Sequence, residues 1–430
     1  MSRLPLSTIV LFIFISSSIC EVFEGYTLFT VTGESPSQTE FSTKLIDNDF
    51  NIINEWISGS KPASMAYLLP DSTLLYPCRK ENPSIEIGAI GGRIIKYDWD
   101  GNILWDWTSE DYDLHHDIEP LLSGNILAIG IEQISDGISA DVILEIRPFG
   151  IDNAEILWEW HAWDHRGSND PFKFDENVPY DKEDWNHFNS IHLNNNGDKI
   201  YLSSRKWSEF YIIELGGNGD ILYRWGNPQN YGRGNEDNRV LYGNHGVNEI
   251  ASGYPGSNNI LIFNNNPAMY SFNSQVLEIS APMDDFGNYY IGDNEPFGPT
   301  SSEWSYIESF YSGKQSGAFR LPNGNTFITS AIEGYMFEVS NDGEIVWELR
   351  VPGDNTQINR AQKYDLNYFI DLGDINNDEV INVLDIVLLS RFILDLEVPT
   401  DLEFRTCDYN SDEILNILDV VSIVSLILNI

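Results

Sequence analysis

Basic residues and cysteine are both scarce in this chain. Its 430 residues hold 24 Lys and Arg against 66 Asp and Glu, a formal net charge of −42 at pH 7. Proteins that bind nucleic acid or anionic lipid need clustered Lys and Arg, so the composition excludes both classes of partner. Since 42% of the residues are hydrophobic and 13% aromatic, the chain has ample material for a core. We therefore expect a folded, strongly anionic protein.

The three cysteines, Cys20, Cys78 and Cys407, are too few to frame the fold with disulfides. The first ends a nearly uncharged apolar run that follows Arg3, which predicts a secretory signal peptide over residues 1–20. The alternative is an uncleaved anchor, but the run is short for a span of roughly 20 residues. No other segment is long and apolar enough to cross a bilayer. We expect no stable membrane insertion and a secreted protein, extracellular or lumenal and tethered to a surface.

A two-part pattern repeats from about residue 25 to 355. The first part is a turn followed by a short apolar strand. It occurs at 122–129, 195–202, 257–263 and 322–329. The second part is an alternating hairpin with a polar turn such as Asp-Gly or Asn-Gly, and a closing aromatic residue. It occurs at 94–105, 211–225 and 336–347. Because both turn residues tolerate positive φ, these dipeptides between alternating strands predict hairpins.

The closing aromatic residues are 49 to 67 positions apart, which leaves room for four strands in each interval. They are Trp56, Trp105, Trp158, Trp225, Tyr289 and Trp347. A four-stranded unit cannot bury both of its faces alone, and radial stacking into a β-propeller solves that problem. We predict an all-β domain over residues 21–360 that forms a six-bladed β-propeller, with five or seven blades as alternatives.

The composition changes at about residue 360–370. Residues 371–430 hold 13 acidic and 2 basic residues and contain a duplicated loop. Each copy places oxygen side chains at loop positions 1, 3, 5, 9 and 12 and a carbonyl at position 7, which is how proteins wrap Ca²⁺. The predicted ligands are Asp374, Asn376, Asp378, Val380, Asn382 and Asp385, then Asp408, Asn410, Asp412, Ile414, Asn416 and Asp419. Asx-rich turns before helices are the alternative, but two matching loops 34 residues apart favour two Ca²⁺ sites.

Each loop leads into an apolar helix, predicted at 383–394 and 417–430, and no helix-forming pattern precedes either loop. Residues 365–430 therefore resemble a type I dockerin, a small α-helical domain with two Ca-binding loop–helix repeats. The resemblance implies two bound Ca²⁺ ions and a cohesin-type protein partner, contacted around 383–384 and 417–418. Glu379 and Glu413 stand where an EF-hand usually has Gly, so the turns are expected to be looser and the affinity lower.

All seven histidines lie between residues 115 and 245. A metal site would usually need a carboxylate or cysteine to complete it, and Asp117 is the candidate, but no HExxH-like or Cys-rich spacing appears. Each histidine taken singly could instead fill a structural hydrogen-bonding position. The third interpretation joins histidine with Arg205 and Asn189, which are donors suited to a tetrahedral oxyanion. That combination indicates sulfuryl or phosphoryl transfer.

Five phrases between residues 60 and 350 resemble the arylsulfotransferase family in a consistent order. They are HHDIEPLLSGNILAI, DWNHFNSIHL, YLSSR, NHG followed by LIFNNN, and GAFRLPNGNTFITSAIEGYMFEVSNDGEIVWEL. The resemblance implies a six-bladed propeller that moves sulfate from an aryl sulfate donor to a phenolic acceptor, without PAPS or an organic cofactor. It also implies that His245 becomes sulfated and that His116, His187, Asn189 and Arg205 hold the sulfate. His115 is the adjacent alternative to His116 for substrate binding, because spacing does not separate them.

Transfer through a sulfohistidine would be ping-pong, with His187 or His116 supplying the proton to the leaving phenol. About 40 residues lie between the predicted signal peptide and the first clear blade, too few for the additional N-terminal β-domain of some family members. Lys314 and Arg320 could touch an anion, although we expect a surface role for them. Two other functions stay open: a non-catalytic propeller that binds sulfated or other glycans, and a carbohydrate-active enzyme of polysaccharide degradation, each delivered by the dockerin.

Overall fold

The computed structural model describes residues 21–428 except 34–36, 86–87, 135–136, 169, 176–181, 269–271, 354, 370–371, 377, 379, 395 and 410–413. The predicted signal peptide, residues 1–20, lies outside the described residues, as do Asn410 and Asp412 of the second loop. None of the helices that the structure describes is long and apolar enough to cross a membrane.

Six antiparallel sheets make up the described β-region, which confirms the predicted six-bladed propeller. Blade 1 contains β1 (Gly25–Thr32), β2 (Phe41–Ile46) and β3 (Ile52–Ser58). Blade 2 contains β4 (Tyr67–Leu68), β5 (Leu74–Arg79), β6 (Gly92–Tyr97) and β7 (Ile103–Thr108). Blade 3 contains β8 (Asp113–Pro120), β9 (Ile126–Gln133), β10 (Ser139–Phe149) and β11 (Asn153–His161).

The remaining three blades repeat the four-stranded order. Blade 4 contains β12 (Phe188–Leu193), β13 (Lys199–Ser204), β14 (Glu209–Glu214) and β15 (Ile221–Trp225). Blade 5 contains β16 (His245–Glu249), β17 (Ile260–Asn264), β18 (Gln275–Ile279) and β19 (Trp304–Tyr306). Blade 6 contains β20 (Gly317–Arg320), β21 (Thr326–Ser330), β22 (Tyr335–Val339) and β23 (Ile345–Arg350).

Two short strands close the ring. After blade 6 the chain returns to blade 1, where β24 (Gln357–Ile358) and β25 (Gln362–Asp365) both pair antiparallel with β1. Closure in this way covers the inner edge of the first blade, which would otherwise be free to pair with another chain. The propeller strands thus run to Asp365, five residues past the predicted boundary at 360. The residues before the first clear blade form β1 to β3, the outer strands of blade 1.

A ring of tryptophans joins neighbouring blades. The outermost strand of each blade carries an indole N–H that donates, over 2.8 to 3.1 Å, to a carbonyl between the third and fourth strands of the next blade. The donors and acceptors are Trp56 to Asp98, Trp105 to Asn153, Trp160 to Gly219, Trp225 to Pro299, Trp304 to Asn341 and Trp347 to Asn48. Each bond combines burial of a large apolar ring with a satisfied polar group.

Two of the predicted closing aromatic residues do not make this contact. In blade 3 the donor is Trp160 rather than Trp158, which lies two residues earlier on the same face of β11. In blade 5 Tyr289 lies in the connection between β18 and β19, where it pairs with Met283, and the strand residue is Trp304. The long insertion before β19 displaces the fourth strand, so spacing alone chose the wrong aromatic residue.

The C-terminal region contains three helices, α1 (Val383–Ile393), α2 (Asp401–Cys407) and α3 (Ile417–Leu428). The first and third match the predicted loop–helix repeats. The expectation that no helix precedes a loop is wrong for the second loop, because α2 ends directly before it. Thr400 and Glu403 form a capping box at the start of α2, with bonds of 2.7 and 3.2 Å, a signal present in the sequence.

Candidate functional site

The innermost strands of blades 3, 4 and 5 begin at the same end of the channel. His116 lies near the start of β8, His187 directly precedes β12, and His245 opens β16. Their side chains line a cavity of about 450 Å³, which we call the histidine cavity. Arg205, which follows β13, lines it as well. The structure therefore brings together the three histidines and the arginine that the sequence analysis singled out.

His245 is held by two oxygen acceptors on one side of its ring. Its Nδ1 lies 3.0 Å from the Gly243 carbonyl and 2.8 Å from Oδ1 of Asn265. The orientation of the Asn265 amide is fixed, since its Nδ2 donates to the carbonyls of Ser312 and Gln315 over 2.7 and 3.1 Å. Nδ1 must therefore carry the proton, which leaves the lone pair on Nε2.

Burial, together with the nearby Arg205 and His187, lowers the pKa of His245 to about 3, although the Asn265 hydrogen bond opposes the shift. The imidazole is consequently neutral across the physiological range, as a nucleophile must be. Asn265 was not predicted as a site residue. It lies inside the quoted LIFNNN phrase, which was the available signal.

The structure separates His115 from His116. His116 lines the histidine cavity, whereas His115 lies behind it, with only 2% of its surface exposed. Nδ1 of His115 is 2.8 Å from Nδ1 of His116, and Nε2 of His115 is 3.1 Å from Oδ1 of Asp141. Since Nε2–H of His115 donates to the carboxylate, Nδ1 of His115 is an acceptor, and the proton between the two rings is on Nδ1 of His116. His115 thus orients His116 and does not reach the cavity.

Burial holds the pKa of His116 well below its usual range, and the adjoining histidines and Arg205 contribute in the same direction. His187 has a different environment, because its Nδ1 lies 2.7 Å from Oδ2 of Asp184. Burial raises the pKa of Asp184, but His187 and Lys206, whose Nζ is 2.9 Å away, outweigh it and lower that pKa to about 2. A permanent carboxylate therefore stands behind His187, where it accepts a hydrogen bond from Nδ1 and orients the ring.

Asn189 and Arg205 provide donors at the same mouth. The Asn189 amide nitrogen donates one N–H to the Asn244 carbonyl over 2.8 Å and has a second N–H. Asn189 lines a small recess of the cavity together with His116 and His245, and its buried Oδ1 accepts no hydrogen bond from any described residue. Arg205 is exposed, and no described side chain pairs with its guanidinium. Both side chains are placed where a tetrahedral anion could reach them.

The backbone is irregular where these side chains project. Strand pairing is interrupted between Leu114 and Ile118, between Phe188 and Ser190, and between His245 and Asn248. Bulges of this kind re-aim side chains near active sites. Five of the twelve described non-glycine residues with positive φ lie at this mouth, so strain is concentrated there. They are Ala89, His116, His187, Gln315 and Ser316.

Gly246 shows why the turn after His245 is tight. Its φ is +57°, and an added Cβ would lie 2.8 Å from the Cα of Gly317 on the next blade. A side chain there would push blades 5 and 6 apart beside the reactive histidine.

Three further expectations have a definite outcome. Asp117, the candidate metal ligand, is buried between the guanidinium of Arg360, at 2.8 Å, and the hydroxyl of Tyr67, at 2.6 Å, so it has a structural partner. Among the described residues no three His, Cys, Asp or Glu side chains are grouped to hold a metal ion. Lys314 lines the histidine cavity, whereas Arg320 pairs with Glu278 away from it.

The two C-terminal loops share one hydrogen-bonding scheme. Asp385 accepts from the backbone N–H groups of Ile375 and Asn382, both at 2.8 Å, and its carboxylate is fully buried. Asp419 accepts from Tyr409 and Asn416 in the same way, at 3.0 and 2.9 Å. Buried carboxylates in an oxygen-rich loop fit a hard cation such as Ca²⁺, whose charge would offset the cost of burial.

The Asn at loop position 9 has a capping role in both loops. Oδ1 of Asn382 accepts from the N–H of Leu384, and its Nδ2 donates to the Val380 carbonyl, each over 2.8 Å. Asn416 makes the corresponding bonds to Leu418 and Ile414. Because position 9 often reaches the ion through water, this arrangement remains compatible with Ca²⁺. In the first loop the amide oxygen of Asn376 and the Val380 carbonyl would complete the carboxylate set.

Comparisons with solved structures give only distant likenesses. A protein of unknown function from Bacteroides caccae is 14% identical over 79% of this chain and 98% of its own, with a TM-score of 0.46. The Cps50 propeller domain of Myceliophteria thermophila is 12% identical over 77% and 91%, with a TM-score of 0.43. A periplasmic gluconolactonase of Pseudomonas aeruginosa is 10% identical over 77% and 99%, with a TM-score of 0.41. At these scores they carry no argument about activity.

No curated protein sequence matches the chain. Two family models do. The model of arylsulfotransferase (ASST) matches residues 69–369, and that of the dockerin type I domain matches residues 372–428. The first match covers more than half of the chain and contains every site residue described above in the propeller. The chain therefore belongs to the arylsulfotransferase family and carries a type I dockerin domain after its propeller.

Proposed function

We propose that this protein transfers sulfate from an aryl sulfate to a phenolic acceptor through a covalent intermediate on His245. The observation that carries the proposal is the environment of that ring. Two oxygen acceptors fix its proton on Nδ1, and burial keeps it neutral, so its Nε2 lone pair is free for attack at the cavity. A neutral, oriented imidazole is suited to split one difficult transfer into two easier steps.

In the first step, Nε2 of His245 forms an N–S bond to the donor sulfur while the S–O bond to the aryl group breaks. The departing phenolate takes a proton from His187. In the second step, the acceptor oxygen attacks the sulfur, the N–S bond breaks, and its electron pair returns to Nε2. The acceptor proton passes to His187, which is then ready for another cycle. Phenol has a pKa of about 10, so only a modest acid is needed.

His187 suits the acid–base role better than His116. Asp184 accepts a hydrogen bond from Nδ1 of His187 and orients its ring, whereas burial, together with the adjoining histidines and Arg205, lowers the pKa of His116 and keeps that ring neutral. Arg205 and Asn189 then supply the N–H donors to the sulfate, while His116, whose Nδ1–H is used by His115, lines the cavity as a neutral ring. Donors aimed at developing charge typically contribute about 10²–10³ each to the rate. The acidity of the whole chain makes such a local set of donors necessary for an anionic substrate.

The dockerin would hold the transferase on a cohesin-type partner outside the cell. Type I dockerins bind calcium, and we propose one ion in each loop. Val383, Leu384, Ile417 and Leu418 are each more than half exposed, which suits the predicted contact surface. Chelation should unfold α1 and α3 and abolish cohesin binding, with the propeller and its transfer activity retained. Circular dichroism and cohesin pull-down with and without EDTA check this expectation.

Sulfate transfer from 4-nitrophenyl sulfate to phenol tests the proposal directly. His245→Ala should lose about 10³-fold or more of the activity, as expected when a nucleophile is removed. His192→Ala, at the other end of the channel, is the matched control and should retain it. Mass spectrometry after donor alone should find a sulfuryl adduct on the His245 peptide. A folded protein that cleaves no aryl sulfate, or full activity in His245→Ala, contradicts the proposal and favours a glycan-binding or carbohydrate-active propeller.

A further inference from the structure

The described lining of the histidine cavity contains no Asp or Glu, although 66 of the 430 residues are acidic. Instead it contains three histidines and three permanent cations, Arg205, Lys61 and Lys314. A second cavity, of about 670 Å³, opens at the other ends of the inner strands. Its lining includes four acidic residues, Asp71, Glu119, Glu249 and Asp365. Among the described residues, acidic side chains thus line only the second of these two cavities.

The cations of this cavity have no acidic partner among the described residues. Buried or half-buried bases in the described part of the chain are mostly paired with an acid. Examples are Arg224 with Glu209, Arg320 with Glu278, Arg360 with Asp117 and Lys363 with Glu338. Lys61 and Lys314 are exposed, line the same cavity, and have no ion pair or side-chain hydrogen bond to any residue the structure describes. Unpaired cations facing one cavity indicate an anionic ligand.

The positions of the cations around the ring divide them into two groups. Arg205 belongs to blade 4 and stands with the histidines of blades 3 to 5. Lys61 enters blade 2 and Lys314 enters blade 6, so both flank blade 1, which lies across the six-bladed ring from blade 4. Lys61 is anchored there, because its carbonyl accepts the N–H of Arg79 over 2.8 Å. The two lysines therefore line the part of the channel mouth that flanks blade 1, outside the arc of blades 3 to 5 that carries Arg205 and the histidines.

One aryl sulfate group carries a single negative charge, which Arg205 and the histidines already match. The two lysines exceed that requirement, and a cavity of about 450 Å³ has room for much more than a sulfuryl group. Resting on the proposed function, we propose that Lys61 and Lys314 form a second anion subsite, which selects donors or acceptors that carry another sulfate or carboxylate. The substrates would then be polyanionic aromatic compounds or sulfated, phenol-bearing polymers.

Binding of aryl sulfonates tests the subsite without any turnover, because sulfate transfer does not cleave the carbon–sulfur bond that holds their sulfur to the ring. Isothermal titration would compare benzenesulfonate with benzene-1,3-disulfonate, benzene-1,4-disulfonate and 4-sulfobenzoate. We expect the best dianion to bind about tenfold more tightly than the monoanion, the gain typical of two exposed ion pairs. The double variant Lys61→Met/Lys314→Met should bring that ratio close to one. Lys44→Met, on β2 beside Glu55 and outside the cavity, should leave it unchanged.

A kinetic comparison supplies the second readout. With 4-nitrophenyl sulfate as donor, 4-hydroxybenzoate and phenol are compared as acceptors. The charged acceptor, 4-hydroxybenzoate, should have the lower KM. The double variant should raise KM for the charged acceptor more than for phenol. A wild-type dianion ratio near one, or a high ratio that survives the double variant, overturns the assignment of the second subsite alone. Failure of benzenesulfonate to bind, with no donor cleaved, overturns the proposed function as well.

Discussion

The two mouths of the propeller channel are built from opposite ends of the same short strands, yet they perturb histidine in opposite directions. At the start of β16, burial lowers the pKa of His245 to about 3. At the end of β12, burial also acts to lower the pKa of His192, but Glu119 and Glu249 outweigh it and raise that pKa above its ordinary value. Nδ1 of His192 lies 3.2 Å from Oε1 of Glu119.

This difference shows that the scaffold alone does not set the chemistry of the channel. A strand of five or six residues is about 17–20 Å long, so both environments occur within one propeller core. What distinguishes them is the presence of carboxylates near one mouth and their absence from the described lining of the other. His245, which has no carboxylate against its ring, is kept neutral and nucleophilic, whereas the two glutamates beside His192 raise the pKa of that ring.

The Asp117–Arg360 pair lies between the two mouths, and breaking it should have the largest effect on stability. Arg360 lines both the recess beside His116 and the opposite cavity, and both carboxylate oxygens of Asp117 are 2.8 Å from its Nη2. Arg360→Met should cost about 3–5 kcal/mol of unfolding free energy, because it leaves a buried carboxylate unpaired. Urea denaturation measures the loss.

The paired variant Asp117→Asn/Arg360→Met is the control for that prediction. Removal of both charges should recover most of the stability, since no isolated ion is left in the core. If the double variant is as unstable as Arg360→Met, the loss comes from packing of the arginine side chain and not from an uncompensated charge.

The fold was predictable because its signals are local. Asp-Gly and Asn-Gly turns and a closing aromatic residue recur in each blade, and four of the six tryptophans that join blades were identified from them. Trp160 was missed because Trp158 lies on the same face of β11, and Trp304 because an insertion precedes β19. Length and alternation cannot resolve either ambiguity without the neighbouring blade.

The site was predictable only in part. The family phrases supplied the main residues, but spacing could not decide between His115 and His116, since a break in strand pairing and a positive φ at His116 determine which ring faces the channel. A surface role was expected for Lys314, whereas the structure places it in the lining of the histidine cavity. The sequence around Lys314 did not indicate this position, because it depends on how the blades close into a ring. Asn265 is the middle of three consecutive asparagines, and only the partners of each amide distinguish their roles.

A substitution at Asn265 can give His245 a carboxylate neighbour like the one beside His192. Asn265→Asp places a carboxylate against Nδ1 of His245, as Glu119 stands against His192, so the pKa of His245 should rise. The acid limb of the kcat/KM profile should then move to higher pH, and kcat should fall about 10–100-fold, as for loss of an orienting partner. Asn266→Asp, one residue away, is the matched control and should leave the pH profile in place. A profile that does not move in Asn265→Asp would show that Asn265 does not govern the protonation of His245.

The smallest expected effect is the dependence of stability on pH. The histidines of the two mouths should change the unfolding free energy with pH in opposite directions. The folded-state pKa of His245 is below its unfolded value near 6.5, so the unfolded chain binds the extra proton and stability falls as the pH drops below about 6.5. The folded-state pKa of His192 is above its unfolded value, so His192 stabilises the fold at low pH and this contribution is lost as the pH rises through the folded pKa.

Urea denaturation of His245→Gln and His192→Gln between pH 4.5 and 8 measures the contribution of each histidine to stability. Relative to wild type, His245→Gln should flatten the decline below about pH 6.5 by up to about 1.4 kcal/mol per pH unit. His192→Gln should instead remove a gain in stability that the wild type shows as the pH falls from the folded pKa of His192 towards about 6.5. Changes of the same sign in both variants would mean that the two mouths do not differ in the way their carboxylates predict.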